Sequence, residues 1–106
     1  MDVEGLKKFV TEKRLEERSV KSFWNYFNNF KKEHNKEFQK SFPDFKASEL
    51  DLSIGTVALR ITNWPEDGYN HVVVTLELHY KNLYAGRYTI EFSLIGEVED
   101  DSLSIF

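Results

Sequence analysis

Cysteine is absent from this 106-residue chain, which excludes disulfides, thiolate metal centres and cysteine nucleophiles. Proline and glycine are scarce, at two and five residues, so no flexible linker or low-complexity tract divides the chain. No apolar run approaches the length of a membrane span, and Met1 to Val20 lacks the apolar stretch of a secretory signal. The expected compartment is therefore the cytosol, with no membrane contact. A phosphate-cradling glycine loop, GxSxG, HExxH and a calcium loop are all missing, and no acid, base and nucleophile set stands in their place. The expectation is a small non-enzymatic protein with no cofactor and no metal.

Charge of one sign is also unevenly missing. Residues 1–50 carry 11 basic and 9 acidic side chains, whereas residues 51–106 carry 3 and 9. The overall charge of −4 thus hides a polarity, and the second half is too acidic to offer a phosphate-binding surface. Phenylalanine is as lopsided, with seven of nine in the first 45 residues. At this length one hydrophobic core forms without staples, so residues 1–106 read as a single domain with a helical part, 1–45, and a strand-forming part, 51–106.

Asp2 is placed to cap a first short helix carrying Val3, Leu6, Phe9 and Val10 at helical spacing. Over TEKRLEER, from Thr11 to Arg18, only Leu15 is apolar, so the chain either continues there as a solvated helix or turns. Ser19 then caps a long helix whose Val20, Phe23, Trp24, Phe27, Phe30, Lys31, His34 and Phe38 recur every three or four residues over about five turns. Phe42, Pro43, Asp44 and Phe45 end it, since proline lacks the amide that continues the ladder.

Beyond Leu50 the hydrophobic period changes from 3.6 to 2 and strands follow. Side-chain parity assigns the turns, because antiparallel partners sharing a core face oppose inward residue to inward residue. Pro65, Glu66, Asp67 and Gly68 form a four-residue turn that sets Ile61 against Val72, Leu59 against Val74 and Trp64 against Tyr69. Tyr84, Ala85 and Gly86 form a three-residue loop, with glycine in the left-handed region, that sets Tyr80 against Ile90, Leu78 against Phe92 and His79 against Glu91. Glu99 to Ser102 return the chain so that Val98 meets Leu103, Gly96 meets Ile105 and Ile95 meets Phe106. A phase flip at Gly55 and Thr56 predicts a bulge. The expected fold is an α+β two-layer domain, a short and a long aromatic helix packed on a four-stranded antiparallel β-meander in order 1-2-3-4.

Three functional readings follow. Trp64, Tyr69, Val73, Ile95 and Phe106 gather apolar surface on the outer face of the sheet, which points to a protein partner or a homodimer met through that face or an edge. The alternative is a small-molecule or catalytic cavity between the long helix and a curved sheet, lined by Phe27, His34, Tyr80 and Tyr88. A third is nucleic acid on the basic helix face of Lys31, Lys32, Lys36 and Lys40, against which the interleaved Glu33 and Glu37 weigh. His79, Glu91 and Glu77 form a histidine–carboxylate cluster that is more simply a solvated cross-strand ion pair.

Overall fold

The structure, a computed structural model, describes residues 1–66 and 68–106. Three helices, α1 (Val3–Glu12), α2 (Leu15–Glu33) and α3 (Asn35–Ser41), precede four strands, β1 (Leu50–Ile61), β2 (Asn70–Tyr80), β3 (Leu83–Ser93) and β4 (Val98–Ile105). The strands form one antiparallel sheet in the order β1-β2-β3-β4, with the helices on one face. The α+β two-layer arrangement and the meander are as the alternation of residues 50–106 implies.

Asp2 caps α1 by accepting a hydrogen bond from the Gly5 amide at 2.7 Å. The long helix starts earlier than its hydroxyl signal suggests. Arg14 adopts a left-handed conformation (φ 56°), which ends α1 and starts α2 at Leu15, whose side chain is fully buried. Ser19 is therefore not a cap; it lies inside α2, facing the core. In the charged run before it, Arg18 is spent on structure: its guanidinium donates to the carbonyls of Lys13 (3.1 Å) and Gly96 (2.7 Å) and lies 5.0 Å from the centre of the Phe92 ring.

At its other end the aromatic helix breaks at His34 (φ −126°, ψ 52°), so Phe38 belongs to the separate α3. This bend lets a 19-residue helix and a seven-residue helix wrap one core that a straight rod would only touch. Phe23 of α2 meets Tyr88 of β3 edge-on at 5.7 Å, and Phe42, just past α3, meets Tyr80 of β2 edge-on at 5.3 Å. Val72, Val74, Leu76, Leu78, Ile90 and Phe92 complete the interior. The inward set is the even-numbered one in β2 and β3 that parity selects.

The registers differ from those expected, and each difference preserves parity except beyond the bulges, where His79 opposes Tyr84, Tyr80 opposes Leu83 and Phe92 opposes Val98. Leu59 pairs with Val72 and Ile61 with Asn70, two positions from the expected alignment, with the ladder shift falling at Gly55 as the phase flip implies. Thr62 to Tyr69 form the connection, so Trp64 and Tyr69 lie in a loop and are not cross-strand partners; Asp67 of the expected four-residue turn lies outside the described residues. Leu78 pairs with Gly86 and Val72 with Phe92. The β2–β3 turn is Lys81-Asn82, both left-handed (φ 52° and 66°), followed by a bulge at Ala85. A two-residue turn plus a one-residue bulge reverses parity just as a three-residue loop does, which is why alternation alone chose the wrong one. Gly86 itself lies in the ladder of β3, buried against β4.

In the last hairpin Leu94 to Glu97 form the turn, with Gly96 at φ 88°. Tyr88 pairs with Leu103, Gly86 with Ile105 and Phe92 with Val98. The acidic run Glu99 to Asp101 is thus strand, not turn, and neither Val98–Leu103, Gly96–Ile105 nor Ile95–Phe106 is a pair.

Candidate interaction surface

A 19-residue helix spans about 28 Å, whereas the 12 residues of β1 extend about 40 Å. The sheet therefore outruns α2. With α3 covering the Lys81-Asn82 end and Arg18 of α2 tied to the Gly96 carbonyl, the part of the sheet beyond the helices is the end of β1 and the loop 62–69, which lies beside the turn 94–97 because β2 pairs with β3. Helix α1 reaches Val57, with which Val3, Leu6 and Val10 line a shallow cleft, but Leu59 and Ile61 beyond it stay exposed. Trp64 (79 % exposed), Ile95 (69 %), Tyr69 and Leu94 extend this apolar end. Tyr69, Leu94 and Ile95 line one open hollow of about 230 Å³ together with Gly68, Asn70, Ser93 and Glu99. Beneath it His71 is buried; its Nδ1 lies 3.5 Å from the Glu99 carboxylate and the Tyr69 ring stands edge-on to it at 4.6 Å.

The five residues expected to form one outer-face patch thus divide. Trp64, Tyr69 and Ile95 sit at the overhanging end. Val73 is half-buried on the outer face between Ala58 and Glu91. Phe106 lies at the far end, 5.3 Å from the Tyr84 ring and 5.6 Å from the Arg87 guanidinium, because it follows Ile105, the partner of Gly86. The histidine–carboxylate cluster divides as well: His79 opposes Tyr84, Glu91 pairs with Arg60, and Glu77 accepts from the Tyr84 hydroxyl. Among the described residues no group of three or more His, Cys, Asp or Glu is placed to hold a metal ion.

Three of the four residues expected to line a cavity under the long helix are buried in the packed core. Phe27 and Tyr88 are fully buried and Tyr80 nearly so, and the Tyr80 ring stacks on Phe45 at 5.5 Å. His34 alone faces open space. It borders a groove of about 480 Å³ on the flank of the domain, between α2 and the edge strand β4, with Tyr26, Asn29, Phe30, Glu33, Glu37, Leu103 and Ile105. This groove was not legible beforehand, since Leu103 and Ile105 reach it only in the observed β4 register. Of the basic set, Lys31 lies over the Phe38 and Phe45 rings at 5.7 and 5.6 Å, while Lys32, Lys36 and Lys40 are exposed.

Between groove and core, the Tyr88 hydroxyl donates to Asp101 at 2.6 Å. Burial first, and then this hydrogen bond, push the Tyr88 phenol well above its ordinary value of 10.0. The folded chain holds a proton that the unfolded chain releases, so this stabilisation is complete below about pH 10 and declines above it. The unfolding free energy is expected to fall by about 1.4 kcal/mol per pH unit on that limb. In Tyr88→Phe the limb should flatten, and at neutral pH the half-buried Asp101, deprived of its donor, should cost roughly 1–2 kcal/mol. Urea titrations at pH 8 and pH 11 measure both effects, and equal slopes for parent and variant would contradict this role for the hydroxyl.

Compared with protein-family models, curated proteins and solved structures, the chain matches none. Fold and surface define the class: an α+β two-layer domain whose meander has two open edges and one apolar overhanging end. No helix among the described residues is long and apolar enough to cross a membrane.

Proposed function

We propose that this domain is a non-enzymatic, cytosolic interaction module that binds another protein or a second copy of itself through the overhanging end of its sheet. The observation that carries the reading is the concentration of Trp64, Tyr69, Leu94, Ile95, Leu59 and Ile61, all exposed, at one end of the sheet. Scattered apolar residues on a surface are ordinary, but Tyr69, Leu94 and Ile95 share one hollow, and with Trp64 on the same loop as Tyr69 the set has the composition of an interface centre. Loops at this end bring the aromatic residues, and the stiff sheet beneath holds them in place.

Trp64→Glu with Ile95→Glu tests it, since both side chains are exposed and neither is part of the core. The parent chain is expected to self-associate in sedimentation velocity or to retain a discrete protein from an extract of its source cell. The double variant should weaken that association by about a hundredfold, the effect of losing an interface anchor. Identical sedimentation and identical retained proteins for the two chains would sink the proposal.

A further inference from the structure

The groove beside β4 is a second surface, independent of the overhanging end. We infer that it takes an extended cationic peptide segment, with Lys or Arg and apolar side chains sharing one face, added to the sheet as a fifth strand. β4 is an edge, so one side of its backbone has no partner strand. A chain that pairs there sends every second side chain to the inner face, alongside Leu103 and Ile105, and so into the groove. The floor that receives those side chains is Tyr26, Phe30, Leu103 and Ile105, suited to apolar stems and ring faces.

Charge selects among extended segments. Glu33 and Glu37 line the helix wall of the groove, and among the described residues no Lys or Arg lines it. Lys32 and Lys36, the sequence neighbours of Glu33 and Glu37, are exposed outside the groove lining, and Lys31 is turned onto the Phe38 and Phe45 rings. Arg87 of β3 opposes Ser104, on the other face of the sheet, and is held over Phe106. The strand itself carries Glu99, Asp100 and Asp101. A cationic segment therefore meets the Glu33 and Glu37 carboxylates on the helix wall and an apolar strand wall of Leu103 and Ile105. A second copy of this chain fits poorly: its β4 is acidic, and its β1 has no charge from Leu52 to Leu59 and a single cation, Arg60.

The probe is an acetylated, amidated peptide, Lys-Thr-Leu-Thr-Lys-Thr-Leu, whose Lys and Leu share one face when extended. Its controls are the same peptide with Glu for Lys, and the same peptide N-methylated at alternate amides, which keeps the charge and removes strand pairing. The Lys peptide is expected to bind about tenfold or more tightly than the Glu peptide, and to lose about that factor on N-methylation and on Glu33→Lys with Glu37→Lys. Hydrogen-exchange protection on binding should concentrate on residues 98–106. Equal binding of the Lys and Glu peptides, undiminished binding of the N-methylated peptide, or protection centred elsewhere each overturns the inference. Because Trp64→Glu with Ile95→Glu lies at the far end of the sheet, that variant should bind the Lys peptide unchanged, so failure of either surface is read separately from the other.

Discussion

Phe27→Ala should unfold the domain more severely than any other single truncation in α2. Its ring lies within 5.1–5.8 Å of five others, those of Phe23, Trp24, Phe38, Phe42 and Phe45, which come from α2, α3 and the segment after α3. Truncating a fully buried phenylalanine costs about 3–5 kcal/mol from lost transfer energy and the cavity left behind. A domain of this length holds only about 5–15 kcal/mol in total, and each lost kcal/mol lowers its melting temperature by about 4–8 °C. The midpoint is therefore expected to fall by at least about 12 °C, with loss of near-ultraviolet dichroism as the ring cluster disperses. Phe27→Leu, which keeps most of the volume, should recover more than half of the loss. Phe30→Ala, only half-buried at the edge of the groove, should cost clearly less than Phe27→Ala. Similar midpoints for Phe27→Ala and Phe30→Ala would remove the hub role.

That hub shows why the layers of this fold were legible in the sequence and its alignments were not. The spacing of Phe23, Phe27, Phe30 and the alternation of Val72, Val74, Leu76 and Leu78 record which face of each element is buried, because burial repeats with the element's own period. Parity follows from the same pattern, and it is right along each strand pair up to the bulges. Register is weaker information. Sliding a strand by two keeps every inward residue inward, so Leu59 faces Val72 or Val74 with equal hydrophobic logic, and the choice falls to turns and bulges. Here a turn made of Lys81-Asn82, two left-handed residues without glycine, and the bulge at Ala85 made that choice.

The surface inherits this limit. Trp64, Tyr69 and Ile95 were recognisable as apolar surface residues from composition and parity, but their separation from Phe106 depends on the β3–β4 register. The groove at Leu103 and Ile105 depends on it too. His71 could not be foreseen as buried, because on an odd-numbered strand position its cover comes from Tyr69 and Glu99, residues of a loop and of a strand two places away in the sheet. Arg18 is similar: one cation among many in its run, singled out only by the carbonyl of Gly96.

Gly86→Ala should release β4 from the sheet although alanine is the smallest change available. The glycine does not serve a left-handed turn. It lies within the β3 ladder, and a Cβ placed there would stand 2.2 Å from the Ser104 carbonyl oxygen and 3.2 Å from the Ile105 Cα. Backbone, unlike the end of a flexible side chain, has no rotamer through which to yield, so the last residues of β4 must move as a unit. Overpacking of this kind costs about 1–3 kcal/mol and more where nothing relaxes, and an edge strand relaxes by leaving. The global midpoint should fall by about 4–15 °C. Amide exchange should rise over residues 102–106, with β2 still protected, since its partners β1 and β3 flank it on both sides. The Lys peptide should then lose its site, because Leu103 and Ile105 no longer form one wall of the groove. Parent-like exchange at Leu103 and Ile105 in this variant would show that β3 and β4 do not need the close approach at Gly86, and would withdraw the strand edge on which a fifth strand depends.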